Sequence, residues 1–381
     1  MEGKKATFDD FNLNENLLRG IFSYGFENPS HIQTLGIPII NTGRDLIAQA
    51  QSGTGKTGTF CIGALNKLNQ ELKETQILIL CPTHELVRQI SEVITSLSNY
   101  MDVTCMEVIG GTNLSECRRD LEKSPQIIIG TPGRVLDMIQ KKYLFTNNIN
   151  TLIFDEADET LSYGFKETIY NIVRTVPDDA QICLFSATIP DEILELSKSF
   201  MNNPEEIIVQ KEALTLDGIK QFYINIKFND WKYDILKDLY EMINISQCII
   251  YINSKNKLME VYRNLADDNF PVSYIHGELT GNERKQTMID FKSGKSRILL
   301  STDLLSRGID IQQLSLVINF DLPKSKETYI HRIGRSGRYG RKGVAINLVG
   351  DRDMDRLQEL ITFYDTKIEV MPQNIEEYLS S

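Results

Sequence analysis

Short apolar runs recur along this chain, with stretches of helical periodicity between them. The runs lie at 77–80, 127–129, 152–154, 182–185, 248–252, 298–300 and 316–318. Continuous runs rich in β-branched side chains are typical of strands that are buried on both faces of a parallel sheet. Because the pattern occurs in both halves, we predict an α/β chain of two similar domains, each a parallel sheet flanked by helices, joined by a short linker.

The length of 381 residues suits two domains of about 150–200 residues each. The apolar segment 207–209 is expected to complete the first sheet, and 212–218 shows no strong periodicity. Trp231, the only tryptophan, opens a segment of helical periodicity and is expected in the core. The predicted parts are an N-terminal region packed on the first domain, the first domain, a linker and the second domain, at 1–35, 36–209, 210–220 and 221–381.

Polar clusters follow most of the predicted strands. They lie at 82–84, 131–134, 155–156, 186–188 and 301–303. In open parallel sheets, ligands bind beyond the carboxyl ends of the strands. We therefore expect the clusters of each domain to share one edge of its sheet and to form its binding sites.

The composition is that of a globular protein, with 41% apolar and 24% charged residues. No apolar run approaches the roughly 18 residues that a membrane span needs, and the start of the chain shows no secretory signal. The six cysteines lack CxxC spacing, which favours buried, reduced thiols. These features predict a cytoplasmic protein that does not bind membranes.

Charge is distributed unevenly along the chain. The net charge is −11, yet residues 284–342 contain thirteen Lys/Arg against five Asp/Glu, a local +8 that leaves −19 elsewhere. A basic surface on an acidic body can bind phosphates while the protein stays soluble. The alternative is that this segment is simply a solvated charged face.

A phosphate-binding loop follows the apolar residues 46–48. Residues 50–57 read AQSGTGKT, with Ala50 where the usual pattern begins with glycine. In such a loop, backbone N–H groups and the following helix terminus surround phosphates. Lys56 is then expected to reach the β- and γ-phosphates, and the Thr57 hydroxyl to bind Mg²⁺.

An acidic tetrapeptide, Asp155-Glu156-Ala157-Asp158, directly follows the apolar run 152–154. Asp155 is expected to hold Mg²⁺ through water, and Glu156 to orient or deprotonate the attacking water. Acidic clusters are usually solvated loops, but this one abuts a strand of a nucleotide-binding domain. Together with the phosphate loop, it predicts a nucleotide hydrolase.

The order of these motifs resembles that of the DEAD-box RNA helicases, over nearly the whole chain. Similarity to the members that act in translation initiation is greatest at 29–30, 43–51, 362–364 and 371–372. The resemblance implies two RecA-like domains, with the ATP-binding domain at 36–209 and the helicase C-terminal domain at 221–381. It also implies a monomeric, cytoplasmic, ATP- and Mg²⁺-dependent helicase that unwinds short RNA duplexes near mRNA 5′ ends, with an initiation-factor scaffold as partner.

The resemblance extends to an adenine-recognising Q motif, which Phe8, Gly25, Phe26, Pro29, Ser30 and Gln33 match. The Gln33 amide can donate to and accept from adenine, and Phe8 can stack on its ring. Core packing is the alternative for Phe8 and Phe26. The implied ATP-binding residues are Phe8, Gln33, Ser52, Gly53, Thr54, Gly55, Lys56, Thr57, Gly308 and Asp310.

Two arginines, Arg335 and Arg338, match the arginine fingers of the family and lie three residues apart. With Lys56, Asp155 and Glu156 they form the implied catalytic set. An arginine finger contributes roughly 10³–10⁵ in rate. The alternative, a surface arginine that binds RNA phosphate, suits positions 341–342 better.

The resemblance also assigns coupling and RNA-binding residues. The coupling residues, which link the ATP site to RNA binding, are Asp158, Ser186, Thr188 and His331. The RNA-binding residues are Pro82, Thr83, His84, Gly110, Gly111, Thr131, Pro132, Gly133, Arg134, Asn253, Ser254, Arg284, Thr302 and Asp303. Glycines, hydroxyls and helix N-termini suit sequence-independent contact with a phosphate backbone.

Two positions depart from the family pattern. His84 stands where the family has arginine, so a phosphate contact there should be weaker at neutral pH. The QxxR block reads Gly281-Asn282-Glu283-Arg284, which lacks the glutamine.

Two other functions share most of these motifs: an ATP-gated RNA clamp within a larger complex, and a DNA-directed motor.

Overall fold

The computed structural model describes residues 6–50, 53–161, 166–208, 219–228, 231–242, 247–303, 314–334, 336 and 343–379. Five predicted site residues lie outside these ranges: Ser52, Gly308, Asp310, Arg335 and Arg338. The chain divides into two compact units, Met1–Val209 and Gln210–Ser381. Residues 210–218 of the predicted linker lie outside the described ranges, and the first strand of the second unit begins at Ile219.

The first unit contains a sheet whose paired strands all run parallel. Its strands are β1 (Leu46–Gln49), β2 (Ile77–Leu80), β3 (Cys105–Val108), β4 (Ile127–Gly130), β5 (Thr151–Asp155), β6 (Gln181–Ser186) and β7 (Glu205–Ile208). Their order across the sheet is β3-β4-β2-β5-β6-β1-β7. Each apolar run of the first half thus forms a strand, as predicted.

Helices flank this sheet, after a 3₁₀ turn at Phe8–Phe11. They are α1 (Glu15–Tyr24), α2 (His31–Thr42), α3 (Lys56–Lys67), α4 (His84–Leu97), α5 (Leu114–Leu121), α6 (Pro132–Gln140), α7 (Ala157–Thr160), α8 (Lys166–Val173) and α9 (Asp191–Ser197). Side chains at the amino termini fix several of the starts, because Ser30 and Thr83 accept hydrogen bonds from the first turns of α2 and α4.

Both faces of the sheet are covered, which explains why its strands are continuously apolar. In β2, Ile77 and Ile79 pack in a cluster with residues of α1 to α4. Leu78 and Leu80 point the other way, into a cluster with residues of α5, α6, α8 and α9. Successive side chains of a strand face opposite sides, so every position of β2 is buried.

The second unit repeats this arrangement. Its strands are β8 (Ile219–Ile226), β9 (Cys248–Tyr251), β10 (Val272–Ile275), β11 (Ile298–Ser301), β12 (Leu316–Asn319), β13 (Gly343–Gly350) and β14 (Glu369–Val370). They are parallel and ordered β10-β11-β9-β12-β13-β8-β14. Its helices are α10 (Lys232–Met242), α11 (Lys255–Asp267), α12 (Gly281–Lys292), α13 (Lys326–Ile333), α14 (Met354–Tyr364) and α15 (Glu376–Leu379), with a 3₁₀ turn at Asp351–Asp353. The predicted fold class is confirmed.

The expectation that Trp231 lies in the core is wrong. Its side chain is 50% exposed and packs edge-to-face on Phe228, also exposed, with ring centroids 4.9 Å apart. The next residue, Lys232, is buried at the start of α10 together with Leu236 and Leu239. Because successive helical residues point about 100° apart, burial of position 232 turns its neighbour outwards.

The cysteines agree with the prediction from their spacing. All six are free thiols; Cys105 is half-buried and the other five are buried. None of the helices within the described ranges is long and apolar enough to cross a membrane.

Candidate active site and nucleic-acid interface

The strand order of the first unit brings the predicted site residues to one edge of the sheet. The carboxyl ends of β3, β4 and β2 carry the expected RNA-binding residues, and those of β5, β6 and β1 carry the nucleotide and coupling residues. Parallel strands end at the same edge. The sequence therefore predicted correctly which residues share this edge.

The phosphate loop turns sharply between β1 and α3. Gly53 and Gly55 have φ angles of +83° and +106°, a region that favours glycine. A Cβ atom at Gly55 would stand 2.7 Å from Ser30 Oγ. Lys56 is buried at the first position of α3, and its Nζ donates to the Ala50 carbonyl over 2.7 Å. The ammonium is thus held across the loop, where phosphates are expected to lie.

Gln33 lies beside this loop but already has partners. Its Oε1 accepts from Ser30 N at 2.8 Å, while its Nε2 lies 3.5 Å from the Gly55 carbonyl oxygen. The two residues form a reciprocal cap at the start of α2. The cap fixes the Gln33 side chain next to the phosphate loop, and its contact with adenine stays a prediction.

Phe8 is fully buried in an aromatic cluster. Its ring stacks on Phe26, with centroids 6.2 Å apart and planes 24° apart, and meets Phe11 and Phe22 edge-on. Phe26 lies on the side of the phosphate-loop helix, because a Cβ at Gly58 would come within 3.2 Å of its ring. Stacking of Phe8 on a base therefore stays a prediction, and in this conformation core packing accounts for its contacts.

The acidic tetrapeptide begins where β5 ends. Asp155 Oδ1 accepts from Glu156 N at 3.0 Å, and Glu156 adopts a left-handed backbone with φ +46°. Thr160 Oγ1 donates to the Asp155 carbonyl at 2.8 Å. Few residues other than glycine adopt this backbone region, so the turn holds both carboxyl groups at the strand end in a conformation that the surrounding contacts maintain.

The electrostatics of this turn suit a divalent cation. Burial, and then the neighbouring Glu156 carboxylate, raise the pKa of Asp155 to about 7, and the Lys56 ammonium opposes that rise. Asp155 and Glu156 are thus both buried, and the positive charge of Lys56 acts on Asp155. Oxygen ligands of this kind are those that Mg²⁺ prefers, so the residues present fit the metal that the motif implies.

Two of the expected coupling residues form a hydrogen bond with each other. Thr188 Oγ1 donates to Asp158 Oδ2 over 2.7 Å, which ties the end of β6 to α7. Ser186 is buried, and its Oγ lies 3.4 Å from Thr188 N. Gln49, at the end of β1, donates from Nε2 to the Ala187 carbonyl at 3.3 Å. The segment 186–188 therefore contacts both the acidic turn and the strand before the phosphate loop.

The expected RNA side of the first unit consists of helix amino termini and glycines. Thr83 caps α4 by accepting from Leu86 N at 3.3 Å. A Cβ on Gly110 would lie 3.6 Å from His84 Nε2, so the loop after β3 meets the start of α4. The remaining residues of this side are Pro82, which precedes the cap; Gly111, with φ +76°; and Thr131, Pro132, Gly133 and Arg134, at the start of α6.

In the second unit, Asn253 and Asp303 contact a residue that the sequence did not single out, Arg332. Its guanidinium is completely buried in α13. Its Nε donates to Asp303 Oδ1 at 2.6 Å and its Nη2 to Asn253 Oδ1 at 2.6 Å. Nη1 donates to Asn319 Oδ1 at 3.1 Å and to the Asp321 carbonyl at 2.6 Å.

Burial lowers the pKa of Arg332, and Asp303 opposes that shift. The guanidinium also lies over the Tyr251 ring, 5.1 Å from its centroid. Arg332 belongs to the block 331–338 (HRIGRSGR), in which the family resemblance assigns Arg335 and Arg338 to ATP and His331 to coupling. Only the folded structure shows that Arg332 instead joins loops that are distant from one another in sequence.

The other predicted residues of the second unit occupy different surroundings. His331 is fully buried in α13. Arg284 lies in α12 and donates from Nη2 to the Gly277 carbonyl. Thr302, half-buried, follows β11, and its N lies 3.4 Å from the Ile275 carbonyl.

Comparison with known proteins agrees with this arrangement. Residues 30–196 match the DEAD/DEAH box helicase family, and residues 231–340 match the helicase conserved C-terminal domain. The chain is 55% identical to the ATP-dependent RNA helicase eIF4A of Candida albicans, over 97% of this chain and 93% of that protein. It is 48% identical to eukaryotic initiation factor 4A of Caenorhabditis elegans, over 98% and 93%.

Solved structures also resemble this chain over nearly its whole length. Dbp5 of S. cerevisiae bound to RNA and ADP BeF3 has a TM-score of 0.93 at 34% identity and covers 98% of both chains. Mss116p bound to ssRNA and AMP-PNP has a TM-score of 0.89 at 25% identity and covers 100% of this chain and 83% of that one. The predicted RecA-like fold and the family resemblance are both confirmed: this chain belongs to the DEAD/DEAH box helicase family.

Proposed function

We propose that this protein is an ATP-dependent RNA helicase that couples RNA-stimulated ATP hydrolysis to local unwinding of short duplexes. The observation that carries the proposal is the buried group of Lys56, Asp155 and Glu156, at the sheet edge that the expected RNA-binding residues share. The identity with the eIF4A helicases over nearly the whole chain supports the same activity.

The chain's own residues divide the hydrolytic work among them. Lys56 and the N–H groups of the phosphate loop bind the phosphates of ATP, and Gln33 and Phe8 select adenine. Thr57 and Asp155 hold Mg²⁺, which when bound neutralises phosphate charge. Glu156 orients the attacking water and accepts its proton. The family resemblance also assigns Arg335, Arg338, Gly308 and Asp310 to contacts with ATP, and we propose those roles for them.

RNA is bound through its backbone. Glycine N–H groups, threonine hydroxyls and the N–H groups at the amino termini of α4, α6 and α11 are donors that suit phosphate oxygens whatever the base sequence. The coupling residues Asp158, Ser186, Thr188 and His331 transmit RNA binding to the ATP site. This assignment predicts low ATPase activity without RNA and higher activity with it.

The cellular role that we propose is remodelling of mRNA 5′ regions in translation initiation. The names of the relatives, which include initiation factor 4A, support it. The protein then acts in the cytoplasm as a monomer, with a scaffold protein of the initiation machinery as partner.

The test is a phosphate-release assay with matched RNA and DNA oligonucleotides of one sequence. ATPase activity that the RNA stimulates and the DNA does not supports the proposal. Equal stimulation of the ATPase by DNA indicates a DNA-directed motor instead. A multiple-turnover unwinding assay on a short RNA duplex then separates a helicase from an ATP-gated clamp, which hydrolyses ATP without releasing strands repeatedly.

A further inference from the structure

Lys232 occupies an unusual position for a lysine. It is only 4% exposed, at the first residue of α10, where the helix dipole disfavours a positive charge. Its Nζ donates to the Phe320 carbonyl at 2.7 Å and to Asp321 Oδ1 at 3.0 Å. A buried ion pair contributes little net stability because desolvation offsets the attraction. Its role is therefore better sought in the loop that the pair holds in place.

The second oxygen of Asp321 holds the loop after β9. Asp321 Oδ2 accepts from Asn253 N at 3.1 Å, and Asn253 Nδ2 donates to the Leu322 carbonyl at 2.8 Å. Asn253 Oδ1 in turn accepts a hydrogen bond from Arg332. Asn253 is therefore held through its backbone N–H and through both ends of its side-chain amide. The carboxylate of Asp321 therefore lies between Lys232 and the Asn253 backbone.

The fixed loop leads directly into α11. Ser254 caps that thirteen-residue helix by accepting from Lys257 N at 3.2 Å. Asn253 and Ser254 are among the residues of this unit that we expect to meet the RNA backbone. A binding loop that is already ordered loses less conformational entropy when its ligand binds.

We propose that Lys232 and Asp321 are positioning residues, which hold the Asn253–Ser254 loop in its RNA-binding conformation. This inference rests on the proposed function, because it takes the loop to be an RNA contact. Lys232 fixes the orientation of the Asp321 carboxylate, and Asp321 fixes the Asn253 N–H. Without the lysine, the carboxylate, which is 26% exposed, is free to turn towards water and release the loop.

The same helix offers a matched control. Lys237 in α10 also pairs with an aspartate, with Nζ 2.9 Å from Asp268 Oδ2. Both side chains of that pair are more than a third exposed, and such pairs have little effect. Lys237→Met therefore removes a lysine and its ion pair from α10 without touching the loop after β9.

The first measurement needs no RNA. Amide hydrogen exchange of the full-length protein is followed in the segment 252–258 for the wild type and for Lys232→Met, Asp321→Asn and Lys237→Met. The first two substitutions are expected to speed exchange about tenfold, which corresponds to about 1.4 kcal/mol, and Lys237→Met to leave it unchanged. Unchanged exchange in Lys232→Met overturns the inference, whatever the protein does with RNA.

The second measurement is the concentration of a single-stranded RNA that half-maximally stimulates the ATPase. Lys232→Met is expected to raise it about tenfold while the KM for ATP stays constant, and Lys232→Arg to restore it in part. Equal increases in both constants point to general damage and overturn the inference. Faster exchange with an unchanged RNA concentration overturns the assignment of this loop to RNA binding and, with it, the functional half of the inference.

Misfolding is addressed by the double variant Lys232→Met/Asp321→Asn, which buries no unpaired charge. It is expected to keep a wild-type melting temperature and still bind RNA more weakly. If it binds RNA as the wild type does, the pair does not position the loop. A wild-type protein that RNA does not stimulate at all refutes the proposed function itself, which this series therefore distinguishes from failure of the inference.

Discussion

Thr188 donates its hydroxyl hydrogen to Asp158 Oδ2 over 2.7 Å, across thirty residues of sequence. The bond joins the end of β6 to the helical turn that follows the two acidic residues of the ATP site. A displacement of the backbone near Thr188 can therefore be transmitted to Glu156 through this hydrogen bond and the short turn between Glu156 and Asp158. We expect this bond to serve coupling more than hydrolysis.

Thr188→Val tests that expectation, because valine keeps the shape and removes the hydroxyl. We expect RNA-stimulated ATP hydrolysis to stay within a few fold of wild type and duplex unwinding to fall about tenfold. The loss of one hydrogen bond should lower the free energy of unfolding by about 1 kcal/mol. Thr175→Val is the control, since the Thr175 hydroxyl donates to the Ile172 carbonyl near the end of α8, away from the acidic turn. Parallel losses of hydrolysis and unwinding would contradict a coupling role.

Glu156→Gln should stop turnover without preventing ATP binding. The glutamine keeps the size of the side chain but cannot accept a proton from water, and loss of a general base costs roughly 10²–10⁴ in rate. We expect the variant to accumulate on RNA in the presence of ATP, as a slowly dissociating complex in a gel-shift assay. Glu167→Gln, on the exposed start of α8, serves as control. Wild-type phosphate release by Glu156→Gln would refute the role of Glu156.

Much of this site could be predicted because its residues are contiguous in sequence. A run such as 152–154 is apolar at every position, so it predicts a doubly covered strand, and parallel strands bring the residues after their carboxyl ends to one edge of the sheet. The phosphate loop and the acidic turn could both be located from this pattern. The sequence pattern was sufficient for these two features because the residues that form each of them are neighbours in the sequence.

The rest depends on partners distant in sequence. Lys232 appears in the sequence as an ordinary charged residue of an amphipathic helix, and only Asp321, 89 residues away, explains its burial. The same contacts turn Trp231 outwards. Arg332 could not be separated from the other arginines of its block, because Asp303 and Asn253 approach it only in the folded domain.

Gly55→Ala should impair ATP binding beyond its effect on stability. The φ angle of +106° disfavours alanine, and the new Cβ would stand 2.7 Å from Ser30 Oγ and 3.0 Å from Gln33 Nε2. Gly294→Ala is the matched control, with φ +77° and open space around the Cβ. Both should lose about 1–2 kcal/mol of unfolding free energy from the left-handed backbone. Only Gly55→Ala should raise the KM for ATP, by about tenfold or more, and equal KM values would show that steric contact is unimportant.

His84→Arg should tighten RNA binding at pH 7.5 in the presence of a non-hydrolysable ATP analogue. A guanidinium stays charged at that pH, whereas imidazole, which ordinarily titrates near pH 6.5, is largely neutral. His84→Lys is the expected intermediate case, since it supplies a permanent charge without the planar guanidinium. Fluorescence anisotropy of a labelled single strand measures these affinities. Equal dissociation constants at pH 7.5 would show that His84 does not face phosphate.

Arg332→Lys should destabilise the second unit strongly although it preserves the charge. A lysine ammonium cannot reproduce the planar fork that bonds Asp303, Asn253 and Asn319 together, and it would leave buried acceptors without donors. Breaking a buried ionic network costs about 3–5 kcal/mol, so for a domain of this size we expect the melting temperature to fall by roughly 6–20 °C. Arg356→Lys, exposed on α14, should leave it unchanged. A calorimetric scan of both variants decides the matter, because equal melting temperatures would mean that the guanidinium geometry is dispensable and that charge alone holds these loops.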